Sequence, residues 1–510
     1  MTSGSKYILI PISIYKEEKV LSEYLEKARV YEMDAEQMIK AEDRPFFHLS
    51  PRSGWMNDPN GFSMYKGKIH QFYQYYPYKT QWGPMHWGHA VSEDFVKWDY
   101  LPAAMAPDEN YDNFGCFSGS AIEMQDGRQM LVYTAVREEE KDGEEIIRQT
   151  QCLAFGDGVD YEKYPSNPVI DAKGLPEGWS PVDFRDPKIF RFEDDDHYSL
   201  VVGGRSDDGS GSILLYESMD GIKWDFVTVL DRCRKEYGSM WECPDFFELD
   251  GKYLILTSPQ SMQARTLEFH NGNGNIVVIG NYDRKLHKYT REGVYAIDFG
   301  LDFYAMQTLK AADGRRIMTA WMQSWESSHA VPDGQRWFGQ MILPRELRIK
   351  DGRLYQMPVR EIESYRKDHV AYKDVYLNKS VVLPGVNGKV CDMELEICPN
   401  GPEYTEFRIE FHADSQFHTD FIYHPKDGVA IFDRTYSGFA NDINNKREFA
   451  VRYQGGKIKL RILLDRFSAE IFVNDGENAF SAVVNAPKEA DGIRFSASGN
   501  VKMNLDFWKI

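Results

Sequence analysis

A turn signal recurs along this 510-residue chain at a spacing that few folds accommodate. Lys66-Gly67, Asp126-Gly127, Asp194-Asp195-Asp196, Asp250-Gly251 and Asp313-Gly314 each separate two short β-prone runs. Residues tolerant of positive φ between extended segments mark a tight β-hairpin. Successive hairpins lie about 62 residues apart on average, room for one small antiparallel sheet and its connection. A second echo agrees with that unit: Ser92-Glu93-Asp94-Phe95-Val96-Lys97-Trp98 and Ser218-Met219-Asp220-Gly221-Ile222-Lys223-Trp224 are two units apart. Radial repetition of small antiparallel sheets predicts a β-propeller, here of five blades over residues 43–350.

The flanks read differently. Residues 16–41 place Val20, Leu21, Tyr24, Leu25 and Ala28 among Glu and Lys at a helical period, so 1–42 is expected to be a helical extension packed on the main body. After a last turn at Asp351-Gly352, residues 358–365 suit a short helix inside a linker over 351–367. From 368 to 510 strands return, with Ile458, Leu460 and Ile462 alternating with Lys457, Lys459 and Arg461, the pattern of a sheet half buried against another. A β-sandwich is expected there, and the whole chain is expected to be all-β apart from its N-terminal helix.

Composition removes several function classes. Sixty Lys and Arg against 79 Asp and Glu leave a net charge of −19, a field that repels nucleic acid and anionic membrane. Six cysteines without a C-x-x-C pair are too sparse for a disulfide scaffold. The apolar run at Tyr7–Ile14 is interrupted by Pro11 and lacks a small-x-small cleavage site, and nothing reaches the ~18 apolar residues of a membrane span. The expectation is a cytoplasmic protein acting on a small molecule. Homo-oligomerisation through the helix or sandwich is open, without a heptad seam to argue it.

The chemistry follows from the phase of the repeat. Asp58, Asp186 and Glu242 each lie eight residues before their hairpin turn, in units one, three and four, and Ser118 holds the same position in unit two. Leading strands of a propeller line its central channel, so equal phase gathers these side chains around one mouth. A proline follows each acid within two residues, which favours a fixed loop over a regular ladder. Like charges converging there raise at least one pKa, so that one acid stays protonated while another is ionised. Two carboxyls so divided are the requirement for glycoside hydrolysis. Trp55, Trp82, Trp87 and Trp241 offer ring faces for a sugar, and Asn57, Gln74 and Arg185 offer groups for its hydroxyls. A single Asp in a loop is ordinarily a turn or cap residue; three in phase are not explained that way.

Trp55-Met56-Asn57-Asp58-Pro59-Asn60-Gly61, Arg185-Asp186-Pro187 and Glu242-Cys243-Pro244 resemble the three signature motifs of glycoside hydrolase family 32, the invertases and fructan hydrolases. The resemblance extends through Phe72-Tyr73-Gln74-Tyr75, Trp82-Gly83-Pro84-Met85-His86-Trp87-Gly88-His89, Phe117-Ser118-Gly119-Ser120, Asp302-Phe303-Tyr304-Ala305 and Leu343-Pro344-Arg345-Glu346-Leu347. It reaches the expected sandwich at Asp465-Arg466-Phe467-Ser468-Ala469-Glu470-Ile471-Phe472.

The resemblance implies that Asp58 is a nucleophile toward C2 of a terminal β-fructofuranosyl unit. Glu242 would be the acid and base, and Asp186 a stabiliser of the transition state. Trp55, Met56, Asn57, Gln74, Trp82, Phe117, Ser118, Arg185 and Trp321 would bind substrate. The implied reaction is a retaining double displacement, for which the two catalytic carboxyls stand about 5–5.5 Å apart. Sucrose, sucrose 6-phosphate and short fructo-oligosaccharides are the implied substrates, and no cofactor or metal is implied. His86-x-x-His89 is expected to pack within an aromatic loop, and Cys243 to be a small neighbour of Glu242. Two other readings stay open: a fructosyltransferase that passes the same intermediate to a sugar acceptor, and a non-catalytic sugar-binding protein.

Overall fold

The structure, a computed structural model, describes residues 21–141, 144–401, 404–439 and 444–510. Residues 1–20 of the expected extension, Val20 included, lie outside the described residues.

Five sheets, each of four antiparallel strands taken in sequence order, follow one another along the chain, and a short parallel strand makes a fifth in the first of them. Their innermost strands are Gly54–Tyr65, Gly115–Glu123, Trp179–Phe190, Trp241–Leu249 and Tyr304–Lys310. Each runs into the next strand through one of the five sequence-identified turns. At Lys66-Gly67 and Asp250-Gly251 both residues have positive φ, which fits the twist of a two-residue hairpin. Adjacent innermost strands touch all the way round, and the fifth touches the first. The ring is a closed five-bladed propeller.

Each of the five gaps between blades holds its own apolar core. Leu131 and Tyr133 pack toward the first blade while Met130 and Val132 pack toward the third. Phe246 and Phe247 divide in the same way between the third and fifth blades. Blade strands are therefore buried on both faces, which is why their sequences read as continuous apolar runs rather than alternating ones. Ring closure also uses a two-residue parallel pair, Trp337–Phe338 beside Gly54 and Trp55, supplied by the long excursion between the second and third strands of the fifth blade.

The outermost strand of that blade is Arg353–Pro358, paired with Arg345–Lys350 around Asp351-Gly352. Blade structure thus continues past residue 350 into the expected linker, because that turn closes a hairpin inside the sheet. Arg360–Tyr365 is a short 3-10 helix, and a six-stranded and a five-stranded sheet then face each other across a single apolar core. Ile458, Leu460 and Ile462 lie in that core, as their alternation predicts.

The N-terminal helix, Glu23–Glu36, starts at Ser22, whose Oγ accepts from the Leu25 amide. Leu25 and Ala28 are buried, but Tyr24 is 61% exposed and Glu32 takes its expected place inside. The cause is the edge of the first blade. Glu32 accepts from the Ala103 amide at 2.9 Å, and Arg29 donates to the Ala103 carbonyl at 2.9 Å. The helix thereby covers unpaired backbone of an edge strand, Asp99–Met105, with side chains instead of another strand.

Propeller and sandwich are joined through buried charge. His48 donates from both nitrogens, from Nδ1 to Asp465 at 2.8 Å and from Nε2 to Glu470 at 2.9 Å. Asp465 also accepts from the amides of Phe46 and Phe47. Glu470 receives Arg345, which reaches Asp298 as well. All of these groups are fully buried, and burial of charge is tolerated because each finds an opposite partner.

Candidate active site

The innermost strand of every blade carries a β-bulge at one and the same phase. Register slips between Met56 and Pro59, Phe117 and Gly119, Arg185 and Lys188, Glu242 and Asp245, and Tyr304 and Gln307. Bulges re-aim side chains and end regular pairing, and these hold Asp58, Ser118, Asp186, Cys243 and Ala305. The backbone is left-handed at Asp186 (φ 66°), Cys243 (φ 49°) and Ala305 (φ 55°). Such conformations cost non-glycine residues energy, and they persist where surrounding structure enforces them. Pro187 and Pro244 lie inside two of these slips and Pro59 at the edge of another, positions in a sheet that tolerate a missing N–H.

The bulges bring three carboxylates together. Asp58 accepts from Ser118 Oγ at 2.6 Å and from Asn57 Nδ2 at 3.0 Å. Asn57 is held in turn by the Trp55 indole at 2.7 Å. Asp186 accepts from the Cys243 amide at 2.9 Å, while its own amide donates to Thr134 Oγ1. The Cys243 thiol lies 3.5 Å from Asp58 Oδ2 and 3.6 Å from Asp186 Oδ2, a bridge between the two acids. Glu242, the residue before it, accepts from Arg185 Nε at 2.9 Å on one oxygen and from the Tyr304 hydroxyl at 2.6 Å on the other.

Burial dominates the electrostatics. It pushes the Asp58 carboxyl above its ordinary value, against the pull of the Ser118 and Asn57 hydrogen bonds. It pushes Asp186 up to about 7, the charge of Glu242 adding to the effect and Arg185 opposing it. Burial and the neighbouring carboxylates hold the Cys243 thiol well above its usual range, so it stays protonated as a donor. Arg185, beside Glu242, Asp186 and Asp183, is held firmly cationic. Asp58 and Asp186, buried and of raised proton affinity, beside a Glu242 clamped by a guanidinium and a phenol, suit proton transfer and nucleophilic attack.

The other sequence-identified residues divide. Trp55 stacks on Phe338 with ring centroids 4.8 Å apart and lies near Trp321 and Trp325. Trp82 is 39% exposed, with Phe117 and Phe114 beside it. Gln74 is buried and donates to the Cys116 carbonyl. Met56 faces inward, in the apolar core under the helix, and Trp321 is fully buried behind Trp55. Trp87 and Trp241 offer no open ring face: both are fully buried between blades, their indole N–H groups donating to the carbonyls of Phe117 and Tyr237. His86 and His89 take separate partners, the Pro84 carbonyl and His70. Sequence reasoning left Tyr304, Thr134 and Asp183 without roles. Counting eight residues back from Asp313 lands on Ala305, so the phase that found the acids also marks the neighbour of Tyr304 as a rim position.

The profile of the glycosyl hydrolases family 32 N-terminal domain matches residues 48–358, and that of the family 32 C-terminal domain matches residues 361–509. A sucrose-6-phosphate hydrolase of Escherichia coli is 35% identical over 461 residues, covering 90% of this chain and 92% of that protein. A raffinose invertase of Escherichia coli is 37% identical over 450 residues, covering 86% and 88%. Among solved structures, a family 32 β-fructofuranosidase of Bombyx mori superposes with a TM-score of 0.81 at 33% identity, covering 95% of this chain and 97% of that one.

Proposed function

This chain belongs to glycosyl hydrolase family 32 and is a glycoside hydrolase, and from that premise we propose that it is a retaining β-fructofuranosidase. Its substrates are sucrose, sucrose 6-phosphate or short fructo-oligosaccharides, in keeping with the activities named for its relatives. The observation that carries the proposal is the Cys243 bridge. Its amide and thiol tie Asp186 to Asp58, and the adjacent Glu242 is fixed at both oxygens, so three acids from three blades share one mouth.

In this mechanism the Asp58 carboxylate attacks C2 of the terminal fructosyl unit as the glycosidic bond breaks. Glu242 gives its proton to the departing oxygen. A water then attacks C2, Glu242 takes the water's proton, and the Asp58 ester bond breaks to release fructose. Arg185 and Tyr304 orient Glu242 for both transfers. Asp186 accepts fructose hydroxyls and faces the positive charge that develops on the ring. Trp55, Asn57, Gln74, Phe117 and Ser118 shape the fructose pocket, with Trp82 at its exposed rim. Met56 and Trp321 support it from behind.

Asp58→Ala and Glu242→Ala are each expected to lower kcat by about a thousandfold or more. NMR of the first-released fructose is expected to show the β-anomer; the α-anomer would reject retention. Predominantly trisaccharide product at high sucrose would reject hydrolysis in favour of transfer. We also propose a cytoplasmic setting, consistent with six cysteines none of which is in a disulfide. No helix among the described residues is long and apolar enough to cross a membrane.

A further inference from the structure

A narrow cleft lies beside the candidate active site, between the 260–275 loop of the fourth blade and the sandwich strand Lys446–Ala450. The two share a wall. Tyr304, whose hydroxyl holds Glu242, also lines the cleft. The 324–326 turn presents Trp325 toward Trp55, and Ser324 and Glu326 line the cleft.

The polar groups of the cleft are unevenly satisfied. Glu326 is already occupied: it accepts from the Asn273 amide at 2.9 Å, from Asn273 Nδ2 at 3.2 Å and from Ser324 Oγ at 2.5 Å. Asn271 spends its side-chain oxygen on the Ala264 amide, and Asn275 spends its own on the amides of Ile297 and Asp298. Their NH2 groups have no partner among the described residues. His270 Nε2 is buried and has none either. Its ring is kept neutral, its pKa brought down to about 3 by burial and by the charge of Arg447.

Arg447 stands out further. Burial lowers its pKa in spite of attraction to Asp302 and Glu326. Those acids do not hold it: Asp302 is paired with Arg434, and among the described residues no carboxylate stands within salt-bridge distance of Arg447. Arg447 is half-buried, lines the cleft and makes no side-chain hydrogen bond among the described residues. The other carboxylates that line the cleft are occupied too, Asp298 by Arg345 and Glu268 by the Ala296 amide at 3.0 Å, so the unspent capacity is rich in donors and includes the Arg447 cation. Its complement is a compact group of acceptors with negative charge.

We propose that this cleft is a phosphate site anchored by the Arg447 guanidinium, with Asn271, Asn275 and His270 as further donors. The phosphate has two possible sources, an ester on the leaving hexose of a phosphorylated sucrose-type substrate or free inorganic phosphate. The first source rests on the hydrolase reading above; the second does not. A guanidinium fork matches two phosphate oxygens at once, which glutamine cannot imitate.

The experiment compares the parent enzyme with Arg447→Gln, and with His270→Ala as a second variant that leaves the strand untouched. Thermal melts are run with and without inorganic phosphate, and kcat/KM is measured on sucrose and on sucrose 6-phosphate. Phosphate is expected to raise the Tm of the parent, and the Arg447→Gln protein is expected to lose that rise. If the substrate ester is the ligand, Arg447→Gln lowers kcat/KM on sucrose 6-phosphate by about tenfold or more and changes sucrose by less than about twofold. If free phosphate is the ligand, the Tm effect is lost while both substrates change alike. Absence of a phosphate-dependent Tm rise together with no selective loss on the phosphorylated sugar overturns the site. A parent enzyme that is stabilised by phosphate yet cleaves neither sugar overturns the activity and leaves the cleft standing.

Discussion

Asp186 shows at the scale of one residue how the site is costly to hold. Its backbone is left-handed, and burial lifts its carboxyl to about 7. An acid shifted upward on folding favours the native state while protonated. That contribution is complete below the ordinary carboxylate range and is lost as pH rises through about 7. Asp186→Asn keeps the shape and removes the charge, so it is expected to raise Tm at pH 8 and to raise it clearly less at pH 5. Activity is expected to fall by about a hundredfold or more. Equal Tm gains at both pH values would contradict the burial argument. Tyr304 offers a second test. Its hydroxyl is one of two donors on Glu242, and a hydrogen bond to a charged group contributes about 1.5–3 kcal/mol. Tyr304→Phe is expected to lower kcat by roughly tenfold to a hundredfold with a smaller change in KM, measured on sucrose.

At the scale of elements, the bulge in each innermost strand is the device that aims the site, and the first of them depends on a close approach. Gly339 has a φ of 88°, and a Cβ there would stand 2.0 Å from the Met56 carbonyl, next to Asn57 and Asp58. Gly339→Ala is expected to destabilise the protein by more than about 1 kcal/mol in urea unfolding and to reduce activity, because relief of the clash moves the first bulge. Hairpins were legible in the sequence because two-residue turns demand residues that accept positive φ, as Lys66-Gly67 and Asp250-Gly251 do. The acids were legible because the repeat fixes their phase. What local pattern could not show are the choices made by distant partners. Glu32 is buried because Ala103 offers an amide, and Tyr24 is left outside in consequence. Trp87 and Trp241 look like sugar platforms in sequence and are buried because strands covered on both faces need large apolar rings. Thr134 becomes the partner of the Asp186 amide only when the second blade lies against the third.

The whole molecule is held at its waist by His48. Hydrogen bonds and attraction from Asp465 and Glu470 outweigh its burial and lift its pKa to about 9, while both acids are lowered. The stability His48 adds is fully present below its ordinary pKa near 6.5 and is lost as pH rises through about 9. Removing one partner of a buried charge pair costs about 3–5 kcal/mol. His48→Gln is expected to show that loss in denaturant unfolding at pH 6 and much less of it at pH 10. The same architecture has a consequence for synthesis. Asp58 belongs to the first blade, Glu242 to the fourth and its partner Tyr304 to the fifth, and the strand that carries Asp58 is preceded by a segment moored to Asp465 near the far end of the chain. A nascent polypeptide leaving the ribosome therefore has no assembled site until its fifth blade has emerged, and the segment ahead of the first blade finds its mooring only after Asp465 follows.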